Sequence, residues 1–474
     1  MNDIRRQANS VVRFAGVPRF IASLALATLV ALFGSGLLFG QQLQQASPLT
    51  LRQAVNIALE KNPQRKAALA DTRAATADVK QARSFLLPHV TFSETATAGD
   101  DPVFVFGSKL RQQRFGASDF ALNVLNTPLP FGNYSTRFGG TWNLFDSLAS
   151  WRSVNRAERE KDATDRQLER TGQEIVFRVT DSYYAVLLAK KQLEVAEQAM
   201  KTAEAILERS KNRVESGIVV ESDSLSAQVR LATRKQELIR AQNNVALARA
   251  QLSAAMGLST QSDFEPADEL TERNLPATPL EELEKQAIEK RPDLKRIRSE
   301  ESAQQESVSI AKSSFGPRVN AFADWEADNP TLVGGGGNNW VAGIELQIDL
   351  FEGGAKQAQL SRERAMQEKV AATREMATDA VRLEVRRAYY DVDATRQQLE
   401  VARAAIAQSQ ESLRINQDRY EAGLSTVTDL LAAEEAARRT QADYWETLCR
   451  YYTGYAALEL ASGALNPQSP VVTP

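Results

Sequence analysis

The sequence predicts a mainly α-helical protein with a small β part, built from long coiled-coil hairpins and four membrane-spanning β-strands per chain. Three observations support this class. Two long segments without proline carry a seam of apolar and small residues, and four segments of about ten residues alternate apolar and polar side chains. The same order of segments occurs twice along the chain, which indicates an internal duplication.

Composition narrows the functional classes. Among 474 residues, 57 Lys and Arg against 60 Asp and Glu give a net charge of −3, without the basic excess that nucleic-acid binding needs. The single histidine, His89, and the single cysteine, Cys449, leave no Cys/His metal cluster, and a catalytic triad would have to use His89. The sequence has no phosphate-binding P-loop motif. We therefore expect no enzyme, no cofactor, no metal and no nucleic-acid partner.

The N-terminus has the order of a secretory signal. Four arginines precede an apolar run at 21–39, and small residues at its end favour cleavage nearby. We predict a signal segment at 1–46. The run is also close to the length of a membrane span, so an uncleaved anchor stays open as an alternative.

The duplication is visible by direct comparison. Residues 183–217 and 389–423 are identical at 13 of 35 positions. Around it we predict a first structural repeat at 47–258, a linker at 259–279 and a second repeat at 280–463. The proline-bearing tail, 464–474, is predicted to be disordered.

Each repeat begins with a helical segment, at 49–84 and at 280–314, which ends before a proline. Long helices follow at 149–214 and at 355–422. The first of them would span about 100 Å at 1.5 Å per residue, which a lone helix with an Ala-rich seam cannot sustain. Each long helix therefore needs its returning hairpin partner, after Gly217 or Gly423, and further neighbours. A plain coiled-coil stalk or fibre is the less favoured alternative for these helices.

Four segments read as strands: 89–97, 134–144, 318–326 and 340–350. In the last of these, Trp340, Ile344 and Leu346 share one face, while Glu345 and Gln347 share the other. This pattern is typical of a membrane barrel strand, although a half-buried strand of a soluble sheet has a similar one. Small membrane barrels need about eight strands, so four strands require completion by other chains.

The first repeat carries 23 extra residues between its two strands, within 99–133. A long connection between barrel strands is expected outside the cell. Four phenylalanines in it are compatible with a folded plug or lid, but a plain surface loop is the favoured prediction.

Taken together, the chain resembles the TolC family of outer-membrane efflux proteins over essentially all residues after the signal segment. The resemblance rests on the order of five features: the L-x-x-A-x-x-x-A-L-x-x-N-P opening at 51–63, the strand ends WNLFD and IDLFEGG, and the tips RVESGIVVESDSLSA and RYEAGLSTVTDLLAA. It implies a homotrimer with a twelve-stranded barrel in outer-membrane lipid and a helical tunnel in the periplasm. It also implies a periplasmic adaptor protein and an inner-membrane pump as partners. The implied function is a passive duct for efflux or type I secretion; the alternative is a structural coiled-coil surface protein without a channel.

The resemblance also places a gate at the hairpin tips. It assigns gate and selectivity roles to Asp223, Asp429 and Tyr420, with a hydrogen bond from Tyr420 to Asp223 that holds the resting state closed. Ser425 stands where some members have a gate arginine, and Ala432 where some have a second aspartate, so we expect a weaker closure and one acidic layer. From the residues alone, both aspartates are equally well explained as helix caps.

The same resemblance assigns adaptor contact to the tip residues, although simple turn chemistry also accounts for their glycines. These residues are Gly217, Ile218, Val219, Gly423, Leu424 and Ser425.

Overall fold

The computed structural model describes residues 47–260 and 264–473, so the predicted signal segment at 1–46 lies outside the described residues. The helices are α1 Leu51–Lys61, α2 Pro63–Ser84, α3 Pro102–Arg111, α4 Leu122–Asn126, α5 Ala149–Glu215, α6 Glu221–Ala255, α7 Leu280–Lys290, α8 Pro292–Ser313, α9 Ala355–Glu421 and α10 Val427–Ala461. The strands are β1 Ser47–Leu49, β2 His89–Gly99, β3 Phe131–Phe145, β4 Phe264–Pro266, β5 Arg318–Asn329 and β6 Gly337–Gln347. Within these ranges, no helix is both long and apolar enough to cross a membrane.

The predicted mainly α-helical fold with long hairpins is confirmed. Helices α5 and α9 are each 67 residues long and turn into α6 and α10 at glycines with positive φ. Side chains seven residues apart on α5 are buried along the predicted seam, which places a coiled-coil contact there. These residues are Ala189, Ala196, Ala203 and Ser210.

The first helical segment of each repeat is broken into two helices, which differs from the single helix predicted. The breaks fall at Asn62 and Arg291, each followed by a proline that begins the next helix. The Asn62 amide donates to the Ala255 carbonyl at 2.9 Å, and the Arg291 guanidinium donates to the Ala461 carbonyl at 3.1 Å. Different side chains thus make the same contact with the end of the returning helix in both repeats.

The four long strands form one antiparallel sheet in the order β2-β3-β5-β6. Its register aligns Phe92, Phe138, Trp325 and Trp340 in one row across all four strands. Their side chains are exposed, and the ring centroids of Phe92 and Phe138 lie 5.1 Å apart. The opposite face carries polar and charged side chains. The sheet therefore has the two-faced character that the alternating sequence predicts.

The connection between β2 and β3 is folded, in contrast to the plain loop favoured by the sequence. It contains α3, a short 3₁₀ turn and α4, and phenylalanine contacts join α3 to the 3₁₀ turn. Phe115 packs edge-on against Phe106 and Phe120, with centroid distances of 4.8 and 5.1 Å. We call residues 100–130 the insert.

The structure also differs from the sequence prediction at the linker and the tail. The linker contributes β4, which pairs in parallel with β1. In the tail, Val471 and Val472 are fully buried, and the Tyr184 hydroxyl donates to the Val471 carbonyl at 3.0 Å. Tail composition indicated disorder, but two valines and Leu465 bury enough apolar surface against α5 and α10 to order it.

The folded tail leads to a pH prediction. Glu459 lies near the end of α10, and burial raises the pKa of its carboxyl to about 7, against an opposing hydrogen bond from Ser469. Because the folded pKa lies above the unfolded value near 4.5, this residue's stabilising contribution is present below pH 4.5 and is lost as pH rises through 7. The melting temperature should therefore fall more between pH 5 and 8 in the parent chain than in Glu459→Gln. The exposed Glu446→Gln serves as control, and an equal pH response in all three chains would contradict the assignment.

The helix breaks lead to a second prediction. Gly257 has φ +76°, and a Cβ there would lie 2.6 Å from the Asn62 Cα. Gly257→Ala should destabilise the fold by about 1–2 kcal/mol for the left-handed backbone alone, plus the cost of the collision. Gly172→Ala is the matched control, because a Cβ at Gly172 meets nothing within 4 Å and alanine favours the helix by about 0.5–1 kcal/mol. Thermal unfolding measures both changes: the melting temperature should fall in Gly257→Ala and rise in Gly172→Ala. Equal melting temperatures in the two variants would refute the packing argument.

Candidate functional site

The predicted site lies at the two hairpin tips, which have the same backbone geometry. At the first tip, the Ile218 amide donates to the Arg213 carbonyl at 2.9 Å; at the second, the Leu424 amide donates to the Arg419 carbonyl at 2.8 Å. Gly217 and Gly423 have φ +69° and +74°, as this type of helix end requires. The geometry exposes Ile218 and Leu424, which are 64% and 71% accessible.

Tyr420 is buried between the two hairpins. It packs in a cluster that contains Ile206 and Ala227 of the first hairpin and Leu430 of the second. Its hydroxyl has no hydrogen-bond partner in the described part of the chain. The predicted hydrogen bond from the Tyr420 hydroxyl to Asp223 is therefore missing within one chain. The Tyr420 ring points into the apolar cluster, and the polar contacts are made instead by the backbone carbonyl of Tyr420 and the face of its ring.

Arg213 supplies those contacts. Its guanidinium lies over the Tyr420 ring, 4.8 Å from the centroid, and also donates to the Tyr420 carbonyl. One turn earlier on α5, Arg209 forms a 2.6 Å ion pair with Glu421, and the side chains of both residues are half exposed. Sequence reasoning missed Arg213, because a single arginine in a charged helix carries no pattern that identifies its partner.

The two predicted aspartates differ in their surroundings. The Asp429 carboxylate accepts hydrogen bonds from the Thr426 backbone amide at 3.1 Å and hydroxyl at 2.7 Å, and from the Ser425 hydroxyl at 3.2 Å. These bonds, led by the Thr426 hydroxyl, lower the pKa of Asp429. Asp223 is half-buried in the first turn of α6, whose N-cap residue, Val220, offers no side-chain cap. The capping interpretation therefore fits Asp429, which remains an ionised carboxylate at the tip.

A buried ionic cluster ties α6 to α10 above the tips. Arg234 donates to Glu434 at 2.7 Å and to Glu237 at 2.7 Å, and it also pairs with Glu435. Both Arg234 and Glu434 are almost completely buried. Burial alone would raise the pKa of Glu435, but hydrogen bonds from Arg438 and Arg234 outweigh it and hold that pKa at about 2. Sequence reasoning missed this cluster, since Arg234 and Glu434 lie 200 residues apart.

These contacts fix one hairpin against the other within a single chain. Removing one partner of a buried ion pair typically costs about 3–5 kcal/mol, whereas an exposed pair contributes about 0–1 kcal/mol. The Arg234 cluster and the Tyr420 cluster are therefore the strong ties near the tips, and the Arg209–Glu421 pair is a weak one. Any separation of the hairpins must break the strong ties.

We predict that Arg213→Ala loosens the tips. Spin labels at the exposed positions 218 and 424 should show a longer and broader distance distribution, because the variant loses a cation–π contact of roughly 1 kcal/mol and a partly buried hydrogen bond. Arg209→Ala is the control for the loss of a positive charge and should leave the distance distribution nearly unchanged. Tyr420→Phe should match the parent chain, because it keeps the ring and the carbonyl; broadening as large as that of Arg213→Ala would mean that the hydroxyl has a partner in the assembled protein.

The chain is similar to known proteins along most of its length. CyaE of Bordetella pertussis is 25% identical over 396 residues, which cover 81% of this chain and 78% of CyaE. Outer membrane protein TolC of Vibrio cholerae is 24% identical over 434 residues, which cover 88% of this chain and 91% of TolC. The solved structure of the outer-membrane channel OprN superposes with a TM-score of 0.75 at 20% identity, covering 88% of this chain and 90% of OprN.

The family match covers both repeats. The sequence pattern of the outer membrane efflux protein family matches residues 54–258 and 283–464, which include α5, α6, α9 and α10 and all four strands of the antiparallel sheet. This is a family of channel proteins rather than enzymes. The chain therefore belongs to the outer membrane efflux protein family.

Proposed function

We propose that this protein is the outer-membrane duct of a tripartite efflux or type I secretion system. Three copies would combine their four-stranded sheets into a twelve-stranded barrel and their hairpins into a tunnel in the periplasm. A periplasmic adaptor would bind the tips, and an inner-membrane pump would supply the energy. The chain itself conducts its cargo passively.

One observation carries this proposal: the two ends of the long helices have opposite chemistry. Helix α5 begins four residues after β3 and ends at the first tip, so it separates the sheet from the tip by about 100 Å at 1.5 Å per residue. The sheet end exposes an aromatic row suited to lipid, and the tip end exposes a capped carboxylate suited to water. A coiled-coil stalk without a channel has no use for a two-faced sheet.

The tips support both of their proposed roles. Ile218 and Leu424 hold equivalent positions in the two repeats and expose apolar side chains, which suits contact with an adaptor protein. The other proposed contact residues, Val219 and Ser425, are half-buried beside them. Ionised Asp429 residues of three chains, with Asp223 nearby, would concentrate cations at the narrow end of the tunnel and repel anions.

Ion selectivity tests this function. In planar lipid bilayers, the purified protein should form channels that prefer cations, and Asp429→Asn should lower the cation/anion permeability ratio. Asparagine keeps an oxygen that accepts the Thr426 hydrogen bonds, so the variant removes the charge and keeps the cap. Glu300→Gln on α8, which removes a carboxylate paired with Arg296, is the charge control. A protein that enters bilayers without conductance would contradict the duct, and an unchanged ratio would leave Asp429 with a capping role only.

A further inference from the structure

We propose that the insert is a plug inside the barrel, which limits the size of the molecules that pass its outer end. The inference rests on the proposed function, because it takes the polar face of the sheet as the face toward the lumen. It assigns a role to residues 100–130, which the duct function leaves without one.

The insert lies at the end of the sheet away from the tunnel. It joins the end of β2 at Gly99 to the start of β3 at Phe131, whereas the other ends of these strands lead into α2 and α5. In the proposed orientation this end faces the outside of the cell. A plug here would act more than about 100 Å from the tips, at the opposite opening of the duct, because the length of the strands adds to that of α5.

The insert lies against the polar face of the sheet rather than beside its rim. Arg111, the last residue of α3, donates to Glu326 of β5 at 3.1 Å, and Arg137 of β3 donates to the same carboxylate at 3.0 Å. The Glu326 side chain is only 9% accessible, so its carboxylate is largely removed from water, while the two arginines that hold it stay half exposed. Outside the lumen, α3 could not reach this face.

A second set of polar contacts holds the end of α3. The Gln112 side-chain amide donates to the side-chain carbonyl oxygen of Asn133 at 2.7 Å, and the Asn133 side-chain amide donates to the Asp328 carboxylate at 2.5 Å. All three side chains are buried where the insert meets the sheet. Because an uncompensated buried partner is costly, this chain of bonds favours the docked position of the insert.

Backbone contact shows how closely the insert approaches the sheet. A Cβ at Gly337, the first residue of β6, would lie 2.0 Å from the Arg111 carbonyl oxygen. A glycine is therefore required where the insert crosses the edge of β6. Between α3 and the strands remains a cavity of about 670 Å³ with polar walls, which include Ser93, Thr95 and Ser135.

The insert also exposes apolar side chains that do not line this cavity. Phe120, Leu122 and Leu129 are 66%, 76% and 85% accessible in the single chain. A threefold axis through the barrel would bring these surfaces of the three inserts together and cover them. Three helices of about 10 Å diameter would occupy much of a twelve-stranded barrel, since eight strands enclose only side chains and sixteen or more enclose an open channel.

Accessibility from outside the cell tests the plug independently of the tips. Thr91 is exposed on the polar face, on the tunnel side of the insert, and Thr91→Cys places a thiol there. Intact cells are treated with maleimides that carry polyethylene glycol of increasing size. Because Cys449 is buried, the chain without an added cysteine is the labelling control. In the full chain the large reagents should react slowly.

The decisive variant replaces residues 100–130 by Asn-Gly. Because Gly99 pairs with Phe131, a two-residue turn closes this hairpin without changing its register. The rate of modification by the large reagents should rise at least tenfold in this variant and several-fold in Arg111→Ala or Gly337→Ala, which keep the insert but weaken its docking. Glu345→Gln removes a carboxylate from the same face away from the insert and should leave the rate unchanged.

Two outcomes separate failure of the plug from failure of the proposed function. Thr331→Cys, in the exposed loop between β5 and β6, should be labelled in intact cells in every variant. If it is labelled and the rate at position 91 is the same with and without the insert, the plug is wrong. If Thr331→Cys is not labelled, the proposed orientation in the outer membrane is wrong. Should the shortened chain fail to reach the membrane, Arg111→Ala and Gly337→Ala decide, and unchanged rates in both overturn the plug.

Discussion

The four-stranded sheet imposes the constraint on which the rest of the assembly depends. Strands β2 and β6 are its edges in the described chain, and each edge presents backbone donors and acceptors that a lipid environment cannot satisfy. Its aromatic face is exposed as well. Closure with the sheets of other copies satisfies both requirements at once, because edges then pair and only the apolar face meets lipid. In the proposed trimer, the association of the chains would thus follow from hydrogen bonding in the membrane.

The long helices also depend on partners, but they need them for packing and not for backbone hydrogen bonds. A 67-residue helix with alanine and serine at its seam gains little from any one contact, so it depends on neighbours along its whole length. Helix α5 packs against α6, α8, α2 and α10, and the polar contacts of Arg213 and Arg234 join the two hairpins toward the tips. Duplication supplies the partners, since each repeat provides one hairpin. The two repeats share the same arrangement of helices but use different side chains for equivalent contacts, as Asn62 and Arg291 show.

Local rules predicted much of this fold. Glycine and proline positions located the tips and the ends of helices, and alternation located all four long strands, because both signals act within a few residues. Contacts between residues far apart in the sequence could not be predicted. The partner of Tyr420 depends on the rotation of one hairpin against the other, and the Arg234–Glu434 pair joins segments 200 residues apart. The tail and the insert were underestimated for the same reason: their order comes from surfaces on distant elements. Ser147 and Leu148 also adopt positive φ where the second repeat has Gly353 and Gly354, which composition at that turn does not reveal.

The number of chains in the assembled protein tests the central claim most directly, because the barrel, the tunnel and the plug all require threefold symmetry. Native mass spectrometry of the protein released from detergent micelles measures it without reference to activity. We predict a single species of three chains. A monomer, or a species whose number of chains is not a multiple of three, would contradict it, since the sheet edges would then need another means of pairing in the membrane.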